Sequence, residues 1–214
     1  MTKKNNELII AIPKGFLHEG SYKYLSSLGI NFNSEKDNRE LVFLDKKNNV
    51  KGLLVRPNDV SAYVEHGSAD LGIVGLDLLK EQYPEVIKLK DLKFGKCKLV
   101  LAVKKESKYK SVKDLPANSR IATKFTKLAN DFIVKKGLSA EIIKLYGSIE
   151  LAPIVGLSNA IIDLVATGKT LKANNLIAIE TILESSAILI ANPVSFKFKK
   201  EEILKLKINL DNLG

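Results

Sequence analysis

Residues 161–170 read Ile161-Ile162-Asp163-Leu164-Val165-Ala166-Thr167-Gly168-Lys169-Thr170. An apolar strand ends in a turn of small residues, and a helix-like stretch follows. Strand, turn and helix in that order form the building unit of an α/β fold. Such a turn aims several backbone N–H groups outward. Two hydroxyls and the start of a helix dipole complete a ready phosphate site. Asp163 stands at the strand end, where a carboxylate can accept hydrogen bonds from sugar hydroxyls. The spacing is not that of a Walker loop. Local chemistry equally allows an ordinary strand-to-helix turn capped by Thr167 or Thr170.

The same alternation extends in both directions. Strands are predicted at Leu8–Pro13, Leu71–Val74, Lys98–Val103, Arg120–Thr123, Ala140–Leu145, Leu176–Ile182 and Ala187–Ala191, besides 160–165. Leu41–Asp45 and Val50–Val55 read as a hairpin turning at Lys47-Asn48-Asn49. Helices are predicted at Gly15–Leu28, from Pro57 to about His66, at Leu76–Gln82, and at Thr126–Lys136 closed by Gly137. Lys199–Leu213 reads as an amphipathic helix, and Phe196 and Phe198, alternating with lysines, as one face of a strand. Strands apolar on both faces imply mixed, largely parallel sheets covered on both sides. Composition shifts near 92–97. The expected organisation is two α/β lobes around a cleft, residues 1–93 with 183–214 and residues 94–182.

Length and composition bound the rest. The 214 residues suit one large or two small domains, and 45% hydrophobic with 27% charged residues is a globular balance. The single cysteine, Cys97, excludes an intrachain disulfide and fits a reducing compartment. The apolar run Leu8–Ile12 is shorter than a signal-peptide core or a membrane span, so the expected location is cytoplasmic. Of the net +10, residues 91–140 hold nearly all, with thirteen basic and four acidic side chains. Only Arg39, Arg56 and Arg120 are arginines among 34 basic residues. Readers of nucleic acid favour arginine, so a lysine excess argues instead for a solvated face or a field that steers anions.

Other segments could carry chemistry. In Ile12-Pro13-Lys14-Gly15, a lysine between a strand and a helix suits an anion, as does Arg56 before Pro57; Arg39 and Arg56 could clamp phosphate bidentately. Ala69-Asp70-Leu71-Gly72-Ile73-Val74-Gly75-Leu76-Asp77 places Gly75 where backbone can approach a ligand, although Asp70 could simply cap a turn. In Tyr146-Gly147-Ser148-Ile149-Glu150, Ser148 could cap a helix with Glu150 in its first turn. His18 and His66 have no partner at metal spacing, and Cys97 has no histidine partner for nucleophilic work.

Taken together, these segments resemble the short form of the ATP phosphoribosyltransferase family. The likeness runs from Leu8 to Asn192 and is carried by Pro13-Lys14-Gly15, Arg56-Pro57-Asn58-Asp59-Val60, Ala69–Gly75, Arg120-Ile121-Ala122-Thr123-Lys124, Ile143–Pro153 and Asp163–Leu171. It implies a fold like the type II periplasmic binding proteins. It also implies the reaction in which adenine N1 of ATP attacks C1 of phosphoribosyl pyrophosphate, giving phosphoribosyl-ATP and pyrophosphate in the first step of histidine biosynthesis. The implied phosphoribosyl-pyrophosphate residues are Asp163, Ala166, Thr167, Gly168, Lys169, Thr170 and Glu150. Lys14, Gly75 and Asp77 would face ATP, and Arg56, Arg39 and Lys14 the departing pyrophosphate. Mg²⁺ would arrive bound to substrate, with no protein metal site. The implied assembly is a homodimer joined to a histidyl-tRNA-synthetase-like regulatory subunit in a hetero-octamer. Phe16 departs from the family, which commonly has arginine there. The competing expectation is a non-enzymatic small-molecule-binding domain on the same fold.

Overall fold

The computed structural model describes residues 7–32 and 40–206. They pack as two compact units, one within residues 1–95 and 186–214, the other Lys96–Ser185.

In the first unit the chain forms β1 (Leu8–Pro13), α1 (His18–Ser27), β2 (Val42–Asp45), β3 (Val50–Val55), α2 (Val60–Glu65), β4 (Leu71–Gly75), α3 (Leu76–Gln82) and β5 (Ile87–Asp91). Short 3₁₀ turns at Gly15–Leu17 and Pro57–Asp59 lead into α1 and α2. The second unit follows with β6 (Cys97–Lys104), β7 (Ser119–Thr123), α4 (Thr126–Lys136), β8 (Ala140–Lys144), α5 (Leu151–Ile154), β9 (Ala160–Val165), α6 (Lys169–Ala173) and β10 (Leu176–Ser185). The chain then returns to the first unit for β11 (Ala187–Ala191), α7 (Pro193–Phe198) and α8 (Lys200–Lys205).

The first sheet runs β2-β3-β1-β4-β11-β5. Its central strands bury both faces, and successive residues divide between two cores. Ile10, Ile12, Leu71, Ile73 and Leu189 join Leu17, Leu25 and Ile203 on one side. Ala11, Val74, Ile188 and Ile190 join Val60, Val64 and Leu79 on the other. That is the alternation a pleated strand imposes when both faces are covered. Gly72 is needed for packing: a Cβ there would lie 2.7 Å from Val64 Cγ2 and 2.9 Å from Val60 Cγ1, so only glycine lets α2 lie this close to β4.

The second sheet runs β10-β6-β9-β7-β8. Val100, Ala102, Ala122 and Ile161 pack against Ile149, Ala152 and Leu171. Helix α4 buries Leu128, Ala129, Phe132 and Ile133, the stripe that a period of 3.6 places on one face. Gly137 closes it at φ +63°, the left-handed cap expected of that residue.

The α/β architecture with mixed sheets agrees with the sequence expectation, but the parallel share is lower. Among the described residues five strand pairings are antiparallel and four parallel. The hairpin β2–β3, the two returning strands, β10 and β11, and the β6–β9 pair supply the antiparallel pairings. Three further readings need correction. Ile87–Asp91 is a strand that the pattern did not reveal; it is an edge strand with lysines at alternate positions, which blunts an exposed edge. Phe196 and Phe198 lie on helix α7, not on a strand. Asn192 caps that helix, its Oδ1 accepting from Ser195 N at 2.9 Å, and Pro193 takes the first turn. Among the described residues the tail is helical at Lys200–Lys205, with Ile203 and Leu206 buried; residues 207–213 of the expected Lys199–Leu213 helix lie outside the described residues. Among the described residues no helix is long and apolar enough to cross a membrane.

Asp70 holds the first unit together rather than capping a turn. Its Oδ2 accepts from Ile9 N and from Lys199 Nζ, each at 2.8 Å. Lys199 Nζ also donates to Glu7 O at 2.8 Å, so one ammonium ties the chain's return to the start of β1.

Candidate functional site

In the second unit β7 is parallel to both β8 and β9, with Thr123 opposite Lys144 and Ile162. The carboxyl ends of three strands therefore share one edge of the sheet, the place where open α/β sheets hold ligands. Strand β9 carries Asp163, then gives way to Ala166-Thr167-Gly168 and α6. Gly168 occupies the cap position at φ +75°, a backbone that side-chain-bearing residues resist. No side chain caps this helix. The reading in which Thr167 or Thr170 caps it is thereby set aside, and both hydroxyls remain for other use.

These residues enclose a pocket of about 200 Å³ lined by Glu150, Asp163, Ala166, Thr167, Gly168 and Thr170, with Leu164, Val165 and Leu171 completing the wall. The volume suits a phosphate and part of a sugar, not a whole nucleotide. Six of the seven residues expected at the phosphoribosyl site are thus brought together. Lys169 is exposed on the same turn but does not line the pocket. Glu150 reaches it from the residue preceding α5, not from a first helical turn. Ser148 does not cap α5; it adopts φ +49°, and its carbonyl accepts from Leu151 N at 3.1 Å.

Burial holds the Asp163 carboxyl above the ordinary aspartate range. The Leu164 N–H, which donates to Oδ1 at 2.8 Å, and the charge of Lys124 oppose that shift, while Glu150 adds to it. A half-buried carboxylate with few donors beside a second acid is a common mark of a functional pocket. Lys124, the last residue of the Arg120–Lys124 motif, is a site cation to which the sequence pattern assigns no role. The signal for it was available, since it leaves β7 just as Lys14 leaves β1.

In the first unit, β1 is parallel to β3 and β4, and Pro13 pairs with Val55. Lys14 N donates to Val55 O at 2.8 Å, so Lys14 and Arg56 leave adjacent strand ends side by side although far apart in sequence. Both are exposed, as is Phe16. Gly75 ends β4 on the same edge. Its missing Cβ makes room for Asp77, whose Oδ1 would collide with one. Glycine is therefore explained at that position by the buried Asp77 carboxyl (5% exposed), before any ligand is considered. Arg39 lies outside the described residues. Among the described residues no group of three or more histidine, cysteine, aspartate or glutamate side chains could hold a metal ion.

A family model described as ATP phosphoribosyltransferase matches residues 56–212. The ATP phosphoribosyltransferase of Synechococcus elongatus is 49% identical over 201 residues, which cover 93% of this chain and 92% of that protein. A solved ATP phosphoribosyl transferase (HisG:HisZ) complex from Thermotoga maritima superposes with a TM-score of 0.79 at 36% identity, covering 94% of both chains. The periplasmic aliphatic sulphonate binding protein of Escherichia coli shares the fold alone, with a TM-score of 0.61 at 14% identity over 94% of this chain and 67% of that one.

Proposed function

Because the chain belongs to the ATP phosphoribosyltransferase family, we propose that its two sets of parallel strand ends divide that family's reaction between them. The activity is transfer of a phosphoribosyl group from phosphoribosyl pyrophosphate to adenine N1 of ATP, the first step of histidine biosynthesis. The N1 lone pair forms the bond to C1, the C1–O bond breaks, and its electrons leave on pyrophosphate. No protein nucleophile is needed, so alignment of the two substrates supplies much of the rate.

The pocket at Asp163–Leu171 takes the phosphorylated sugar. Backbone N–H groups at Ala166–Thr170 and the hydroxyls of Thr167 and Thr170 hold the 5-phosphate, with Lys169 at the rim. Asp163 and Glu150 accept from ribose hydroxyls. In the first unit Lys14, Gly75 and Asp77 face ATP. Lys14 and Arg56 face the departing pyrophosphate, a role that the family resemblance also implies for Arg39. Charge grows there as the bond breaks, so fixed cations favour the transition state over the ground state. The observation that carries this reading is the gathering of six motif residues around one pocket.

Two carboxylates lining a pocket suit a Mg²⁺ that keeps phosphate and water ligands of its own, and do not form a dedicated protein cage. Such an ion would neutralise substrate oxygens. By analogy with the Thermotoga maritima HisG:HisZ complex, the chain assembles with a HisZ-like regulatory subunit, and the form we propose for that assembly is the one the family resemblance implies, a homodimer within a hetero-octamer. The single cysteine fits a cytoplasmic setting.

The test is formation of phosphoribosyl-ATP from ATP, phosphoribosyl pyrophosphate and Mg²⁺, followed by absorbance with and without that subunit. Arg56→Ala should lower kcat by about 10²–10³-fold, or about 3–4 kcal/mol, with a much smaller change in either KM. Unchanged turnover would remove Arg56 from the leaving-group role.

A further inference from the structure

The phosphoribosyl pocket has a charge imbalance. Its walls include two carboxylates, Asp163 and Glu150, and no lysine or arginine. Backbone N–H groups and hydroxyls offset part of the repulsion that a phosphate ester would meet there, but they bring no full positive charge. Lys169 lies outside the lining. Besides Lys169 at the rim on the α6 side, a cation on the Asp163 side of the pocket would offset the charge of that wall.

Lys124 is placed to supply it. Thr123 is opposite Ile162 in the β7–β9 pairing, so Lys124 leaves β7 beside the position that Asp163 holds on β9. Its backbone is fixed on both sides. Thr123 Oγ1 donates to Ile162 O at 2.6 Å and accepts from Phe125 N at 2.9 Å. Thr123 and Phe125 are 0% and 1% exposed, whereas the Lys124 side chain is exposed between them. Its ammonium rests over the Phe125 ring, 4.8 Å from the centroid. A ring face holds an exposed cation weakly, and an anion nearby can draw it away. Lys124 already acts on Asp163, opposing the effect of burial on that carboxyl.

We propose that Lys124 is a substrate-contacting cation of the phosphoribosyl site, a countercharge that helps admit a phosphorylated sugar to a pocket walled by Asp163 and Glu150. This rests on the reading of that pocket as the phosphoribosyl-pyrophosphate site. The lysine is anchored at its backbone and held at its tip by a ring face, so binding needs only a side-chain rotation.

Calorimetric titration with phosphoribosyl pyrophosphate, ribose 5-phosphate and ATP tests it. Lys124→Ala should weaken phosphoribosyl pyrophosphate about tenfold or more, the usual effect of losing a contact between charged groups, and leave ATP within about twofold. Lys124→Arg should restore most of the loss, and the melting temperature should not move. Ribose 5-phosphate separates the two ends of the substrate: a parallel loss places the contact on the 5-phosphate, and no loss places it on the diphosphate. Parental affinity for phosphoribosyl pyrophosphate in Lys124→Ala, while Asp163→Ala loses it, overturns the role of Lys124 alone. Parental affinity in both Asp163→Ala and Thr170→Val overturns the reading of the pocket, and this proposal with it.

Discussion

Asp70 and Asp163 stand beside buried strands of different units and are treated in opposite ways. Asp70 is 4% exposed and accepts from Ile9 N and Lys199 Nζ, with the carbonyl of the same residue accepting from Asn192 N at 2.9 Å. Asp163 is half-buried, receives the Leu164 N–H of its own strand, and faces Glu150 across a pocket. A buried charge with a full set of partners is part of the fold. A partly buried charge with few partners costs stability and persists where a ligand completes it. The contrast separates a carboxylate that secures the chain from one reserved for chemistry.

Asp70→Ala tests the first half and should have the largest effect. It strands the Ile9 N–H and leaves Lys199 without its carboxylate, so chemical denaturation should show a loss of about 3 kcal/mol. Turnover per folded molecule should stay near the parental value. A large drop in kcat with unchanged stability would mean that Asp70 is not a structural tie. Asp163→Ala should do the reverse. Affinity for phosphoribosyl pyrophosphate should fall about tenfold or more, or about 1.4 kcal/mol and upward, with no loss of stability. Normal calorimetric binding of that ligand would erase the distinction between the two residues.

This contrast could not be read from the sequence. Asp163 was legible because its function is local: the strand, the small-residue turn and the helix that build its pocket lie within ten residues. Glu150 and the Thr167–Thr170 turn came with it through short, ordered motifs. The partner of Asp70 is Lys199, 129 residues away and one of many lysines, so no local pattern marks the pair. The same limit explains the elements. Thr126–Lys136, Leu76–Gln82 and Ala160–Val165 were read with their observed bounds, since each carries its own period and stop signals. Ile87–Asp91 was invisible because it is short and lysine-rich, and it is set by pairing with β11 and by the burial of Leu89, contacts distant in sequence. At Phe196-Lys197-Phe198 a two-residue alternation outweighed the Asn192-Pro193 start signal, although Phe196 alone packs on the core and Phe198 is 75% exposed.

Gly168→Ala probes the turn without touching a charge. At φ +75° an alanine costs about 1 kcal/mol, and the chain can relieve it only by turning the N–H groups of residues 168–170 away from the pocket. Affinity for phosphoribosyl pyrophosphate should fall severalfold, and ATP affinity should not change. Equal loss for both substrates, read by the same titrations, would mean that the turn supports the fold rather than one ligand.

The smallest effect is the most discriminating, because its sign differs for the two kinds of aspartate. Burial raises the Asp163 pKa in the folded protein. Over the window between the ordinary carboxylate value and that raised value, the folded chain holds a proton that the unfolded chain has released. Stability therefore falls as pH rises through this window, and the full penalty remains at neutral pH. Asparagine cannot ionise, yet its Oδ1 can still accept from Leu164 N. Asp163→Asn should raise the melting temperature at pH 7 while removing one of the two carboxylate charges of the pocket, Glu150 keeping the other. The gain should be less than about 1 kcal/mol, since solvent screens a half-exposed group. At about pH 3 aspartate too is largely neutral and the gain should vanish. A lower melting temperature at pH 7 would show that the Asp163 carboxylate is a satisfied structural charge like that of Asp70, and the division between the two would collapse.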